Sequence, residues 1–259
     1  MMKSYRAIDI KWAFTGRTLA FRRFYLSLLR VEDLADAGLS GLSDLAEETA
    51  EAMDIVLGRA IADGSTEPIK LDKKTASVVK SSMRQRRADQ LKLRFHFYSL
   101  LVVAVWGAFE TYLLMLFDEL YRLRPQLLKS DETITFRDVV DYREGILDHL
   151  IERQQDRIGH FGPRETFKYL EERLNFSFSK SQQEYLLEMY LIRNIIAHNT
   201  GIVGRGIRRR LPESLFIEND EIRVSKAYLY KMIKNVQRSV IGIEKHVIMK
   251  FYKPEKKWK

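Results

Sequence analysis

The fold turns on residues 97–117, which read Phe97-Tyr98-Ser99-Leu100-Leu101-Val102-Val103-Ala104-Val105-Trp106-Gly107-Ala108-Phe109-Glu110-Thr111-Tyr112-Leu113-Leu114-Met115-Leu116-Phe117. A bilayer span needs about 20 apolar residues, and this stretch is long enough. Its only formal charge is Glu110, which would then sit in hydrocarbon, and dense charge flanks both ends. The stretch therefore reads as the core helix of a soluble helical bundle, not as a membrane segment. Working outward, the helix is expected to run from residue 75 to residue 123. Gly107 is a candidate kink, and Pro125 closes the helix.

Upstream, residues 17–37 and 43–62 read as an antiparallel helix pair. The break falls at Ala37-Gly38-Leu39-Ser40-Gly41, and Ser43 with Asp44 and Glu47 makes a helix start. Asp63-Gly64-Ser65-Thr66-Glu67-Pro68 is a polar linker. Residues 33–67 are acidic and residues 70–94 strongly basic. That switch divides the chain into an N-terminal helical segment, 1–75, and a main domain, 76–259.

Downstream, Thr135 with Asp138 forms a capping-box pattern for a helix over residues 136–157. Gly162-Pro163 opens another helix that runs to about Leu174. Ser181 with Glu184 is a second capping box, opening a helix from Gln182 to about His198 that ends near Gly201. Residues 215–224 alternate around Asn219-Asp220 and predict a small hairpin. The closing helix, 226–251, carries Leu229, Ile233, Val236, Val240, Ile243 and Val247 in steps of four and three, one buried stripe. The tail 253–259 is basic and expected to fray. The fold class is all-α: an up-and-down helical bundle with a small β-hairpin and an extra N-terminal helix pair.

Composition narrows the function. The 259 residues hold 44 Lys and Arg against 35 Asp and Glu, a net charge of +9. A polyanionic partner, RNA or another nucleic acid above all, is the natural complement. Cysteine is absent, which removes disulfides, thiol nucleophiles and thiolate metal sites and fits a reducing cytoplasm. Residues 1–16 carry no apolar signal-peptide core, so a cytoplasmic location is expected. No phosphate loop, His-Glu-x-x-His or Gly-x-Ser-x-Gly occurs, and the five histidines (96, 149, 160, 198, 246) lack metal-ligand spacing. Neither metal nor cofactor is expected. Glu47-Glu48 and Glu171-Glu172 read as solvated faces.

One helix stands apart. Leu191-Ile192-Arg193-Asn194-Ile195-Ile196-Ala197-His198-Asn199-Thr200-Gly201 is apolar nearly all round. Tyr185, Met189, Ile192 and Ile196 form one stripe, and Leu187, Leu191 and Ile195 another. Arg193, Asn194 and His198 are set into it. Burying such groups costs several kcal/mol unless they are satisfied, which marks the helix end as a candidate site. Arg and His near a helix C-terminus also suit the macrodipole, and Asn and Gly are ordinary caps, so a purely structural role accounts for the same residues.

Arg193 to Gly201 resembles the signature of the HEPN superfamily (higher eukaryotes and prokaryotes nucleotide-binding domains): Arg, a polar residue often Asn, three variable residues, then His at the end of a core helix. Phe109-Glu110-Thr111-Tyr112-Leu113 is similar to the Phe-Glu-x-x-Leu stretch of an early helix in many members. The order of elements is similar as well, and the resemblance covers about residues 76–251.

The resemblance implies a bundle of HEPN type and a metal-independent endoribonuclease. It implies a homodimer whose active site is composite, with Arg and His from two protomers. Arg193 and His198 lie about 140° apart around one helix, so two symmetry-related helix ends meet one phosphate more readily than one does. Histidine side chains titrate near neutrality, which suits His198 to acid–base work on a ribose 2′-OH. The Arg193 guanidinium would steady the phosphorane. Asn194 would orient His198 or hold a phosphate oxygen, and Glu110 and Asn199 would support the catalytic pair. Arg205, Arg208, Arg209 and Arg210, in a glycine-containing loop, read as phosphate contacts. Arg84, Arg86, Arg87, Lys92 and Arg94 read as a solvated helix surface. Thr200 stands where some family toxins carry a Tyr that an antitoxin modifies, so an antitoxin of that kind is not expected. A toxin or phage-defence role, with some regulatory protein partner, stays open. The alternatives are a non-catalytic helical module binding RNA, nucleotide or protein, and a membrane-associated helical protein.

Overall fold

Burial of an apolar run this long needs several helices around it, and the computed structural model supplies them. It describes residues 16–56, 73–128, 134–143, 145–211, 215–218 and 220–252. The elements are α1 (Leu19–Val56), α2 (Lys73–Leu123), α3 (Phe136–Asp141), α4 (Ile146–Gly159), α5 (Pro163–Leu174), α6 (Lys180–Asn199), α7 (Arg205–Arg208), β1 (Phe216–Glu218), β2 (Glu221–Arg223) and α8 (Lys226–Phe251). The chain is mostly helical, as its patterning predicts.

The centre is α2, whose 51 residues continue unbroken through Gly107. Tyr98, Leu101, Val102, Val105, Trp106, Phe109, Tyr112, Leu113, Leu116, Phe117, Leu120 and Tyr121 are all buried. They pack against α1, α4, α6 and α8. Leu123 ends the helix, and Pro125 opens a 3-10 turn to Leu128. By length and hydropathy the segment Lys92–Leu123 could cross a membrane, and half of its most apolar window is buried inside the fold. Its first half differs. From Lys73 to Leu93 every side chain whose burial is described is exposed, so this part of the helix stands outside the core.

The expected N-terminal helix pair is a correction. α1 is one helix of 38 residues that passes straight through Gly38 and Gly41. Gly38 is a packing notch, not a break. A Cβ there would lie 2.5 Å from Cε1 of Phe97 on α2, so a bare backbone lets the two helices close together. Phe21, Phe24, Tyr25, Leu28 and Val31 of α1 join the same core as α2 and α8. Two carboxylates hold the start of α1. Glu244 on α8, fully buried, accepts from the Thr18 amide at 2.7 Å and the Thr18 hydroxyl at 2.9 Å. Glu119 on α2 accepts from the Leu19 and Ala20 amides. Such groups satisfy and charge-complement the exposed amides of a first turn. The polar linker, residues 57–62, the first 15 residues and the basic tail lie outside the described residues, and the domain division expected near residue 75 adjoins one of these stretches.

The helix expected over 136–157 is two helices. Its Thr135–Asp138 capping box is present. α3 nevertheless stops at Asp141, where Tyr142 leaves the helical region at φ −112 and ψ 30, and α4 starts anew after Gly145. The Tyr142 ring folds back and stacks on His149 at 3.7 Å. α6 starts two residues earlier than expected. Ser179 is its cap, accepting from the Gln182 amide, and Gln182 returns a bond to the Ser179 amide. The expected hairpin forms, with Ile217 opposite Ile222 and Asp220 at φ 62 in the turn. α8 has the expected bounds, and all six stripe residues are buried.

Candidate functional site

α6 delivers the motif residues. Its buried line is Leu186, Met189, Ile192 and Ile195, while Tyr185, Leu187, Tyr190, Leu191 and Ile196 are half-buried around it. The core stripe thus lies slightly rotated from the one expected. It leaves Arg193 and Asn194 half-covered and His198 exposed in the last turn. Thr200 then caps the helix in the left-handed region at φ 51, followed by Gly201 at φ 85. Two consecutive left-handed residues turn the chain sharply, and the Gly201 amide reaches back to the Ile195 carbonyl.

Arg193 lies against α2. Its Nη2 approaches Glu110 Oε2 at 3.5 Å, and its Nη1 donates to Asn194 Oδ1 at 2.8 Å. The Nε is buried and finds no acceptor among the described residues, a cost that comes with half-sequestering a guanidinium. The Arg193 side chain is 24% exposed and that of Glu110 41%, so the pair sits at a boundary reached by solvent from one side. Glu110 is held from behind by the Trp106 indole, which donates to its Oε1 at 2.6 Å. Trp106 was not anticipated, yet its position four residues before Glu110 on one helix was the available signal. Beside them a groove of about 250 Å³ runs between α2 and the α4–α5 junction, bounded by Trp106, Glu110, Phe109, Phe161, Pro163 and Phe167.

The structure therefore groups Arg193, Asn194, Glu110 and Trp106. Asn194 engages Arg193, and no hydrogen bond joins it to His198. His198 and Asn199 are exposed one turn on, at the open end of the helix. Arg205 and Arg208 lie on the short helix α7 instead of in a loop, with Arg209 and Arg210 directly after it, and all four are exposed. Arg208 pairs with Asp220 of the hairpin turn at 3.1 Å. A second unanticipated group stands nearby. The β2 residue Glu221, whose backbone pairs with Ile202, meets His96 of α2 at 3.6 Å, and Arg223 lies over the Phe95 ring at 5.5 Å. The signal for these was non-local and invisible to spacing. Among the described residues no cluster of His, Asp and Glu could hold a metal ion.

The arrangement offers an exposed imidazole, a partly shielded guanidinium oriented by a carboxylate, and four exposed arginines next to the same helix end. These are groups suited to binding phosphate and moving protons. Comparison with models of known families, with curated proteins and with solved structures finds no match to this chain.

Proposed function

We propose that this chain is a metal-independent endoribonuclease of HEPN type, working as a homodimer at a composite site. The observation that carries the reading is the placement of His198, exposed at the last turn of a helix whose Arg193 is held by Glu110 and Asn194. A fixed guanidinium and a solvent-reachable imidazole, brought to one phosphate by two helix ends, are what transesterification of RNA requires.

In this reading the ribose 2′-OH gives its proton to one His198 and attacks the adjacent phosphorus. The P–O2′ bond forms and the P–O5′ bond breaks. Arg193 of the partner protomer steadies the charge on the equatorial oxygens, and the protonated His198 hands that proton to the leaving 5′-oxygen. The products are a 2′,3′-cyclic phosphate and a 5′-OH strand. Arg205, Arg208, Arg209 and Arg210 seat the strand through its phosphates. A role as a toxin or defence effector under the control of a protein partner fits such an activity.

The test is incubation of purified protein with RNA in excess EDTA. Cleavage leaving cyclic phosphate ends, abolished in His198→Ala with the dimer intact, supports the reading, and cleavage retained in that variant refutes it. One observation favours a second reading. Two of the Arg193 nitrogens are already engaged by Glu110 and Asn194 within one chain, which suits a non-catalytic module that uses the exposed arginines to bind RNA.

A further inference from the structure

We infer that the projecting first half of α2 is a binding arm for RNA, continuing the phosphate track that begins at Arg205–Arg210; this rests on the RNA reading above. Residues 73–94 contain eight Lys and Arg and one Asp. Lys73, Lys80, Arg84 and Lys92 are exposed. At 100° per residue these four fall within one arc of about 120° around the helix.

The arc faces a defined direction. Phe95, which carries Arg223 of the hairpin over its ring, lies inside it. His96, paired with Glu221, lies about 40° beyond its edge. Phe97, the residue against Gly38 of α1, lies about 160° from its centre. The basic arc therefore looks toward the hairpin and away from α1, whose residues 40–56 contain five carboxylates and no Lys or Arg. The one acid of the arm, Asp89, lies about 60° outside the arc and accepts from Gln85. The hairpin is the bridge. Asp220 holds Arg208 at one end, and Glu221 and Arg223 meet His96 and Phe95 at the other.

From Lys73 to His96 the helix rises about 35 Å, the length of roughly ten nucleotides at duplex spacing. A row of cations at that spacing contacts phosphates and reads no bases. The arm thus makes the protein prefer long RNA over short.

The experiment measures binding of fluorescently labelled single-stranded RNA, about 30 and about 6 nucleotides long, to His198→Ala protein as salt is varied. The arm variant combines Lys73→Gln, Lys80→Gln, Arg84→Gln and Lys92→Gln, with circular dichroism confirming the helix. For long RNA the slope of log affinity against log salt should fall by about 3, four contacts at roughly 0.7 each, with the short RNA unchanged. The charge-preserving set Lys73→Arg, Lys80→Arg, Arg84→Lys and Lys92→Arg should keep the original slope. An unchanged slope in the Gln variant overturns the arm, as does loss of binding to anionic vesicles with RNA binding intact. A slope that falls in a protein whose parent never cuts RNA upholds the arm and refutes the ribonuclease reading.

Discussion

Two glycines three residues apart in α1 should respond to the same substitution in different directions. Both lie inside a continuous helix, where Gly→Ala contributes about 1 kcal/mol through propensity. At Gly41 a new Cβ meets nothing within 4 Å, so the gain should appear whole. At Gly38 the Cβ would lie 2.5 Å from Cε1, 2.8 Å from Cζ and 3.1 Å from Cδ1 of Phe97. The ring must swing or the helices must part, and overpacking of this kind costs about 1–3 kcal/mol. Gly41→Ala should therefore raise the melting temperature by about 2–4 °C in a chain of this size. Gly38→Ala, a net cost of about 0–2 kcal/mol once the propensity gain is set against the clash, should leave it unchanged or lower it by up to about 8 °C. Thermal unfolding followed by far-ultraviolet circular dichroism measures both. Equal stabilisation by the two substitutions would refute the notch. Destabilisation by Gly41→Ala would refute helix continuity and restore the turn that the sequence suggests.

Further outcomes follow from particular contacts. Ser179→Ala should cost about 1 kcal/mol in denaturant unfolding while Ser181→Ala stays near neutral, because Ser179 is the residue that caps α6. Phe109→Ala, at a site 2% exposed in the core, should cost about 3–5 kcal/mol in the same assay. Burial pushes the Glu244 carboxyl above its ordinary value, against the lowering effect of its Thr18 and Tyr112 hydrogen bonds. A raised folded value means that its contribution is greatest in acid and is lost as pH rises through that value. Wild type should thus lose stability relative to Glu244→Gln as pH rises above the ordinary glutamate value of about 4.3, and the opposite trend in thermal melts would contradict the assignment.

Local codes were legible in the sequence. The stripe from Leu229 to Val247 fixed α8 to its observed bounds, because an apolar step of three and four needs no knowledge of the partner. Pro163 marked the start of α5, and Asp220, left-handed at φ 62, marked the hairpin turn, through backbone preferences of single residues. What failed was non-local. Gly38 read as a breaker because Phe97, which fills the space beside it, lies 59 positions away. Ser179 and Ser181 offer competing capping patterns, and Gln182 at the earlier frame decided between them. In the candidate site the Arg193–Asn194–His198 helix was visible from its unusual polarity. The Glu221–His96 and Arg223–Phe95 contacts depend on where the hairpin docks, which no spacing records.

The sharpest test of the central claim is complementation between two inactive chains. Arg193→Ala and His198→Ala proteins are purified separately, checked for dimerisation, then mixed under exchange conditions and assayed on RNA in EDTA. If the site takes its guanidinium from one protomer and its imidazole from the other, each variant alone is inactive. Random mixing then restores roughly a quarter of wild-type cleavage, because half the dimers carry one intact site of two. No cleavage by the wild type, or no recovery on mixing two dimeric variants, contradicts the account.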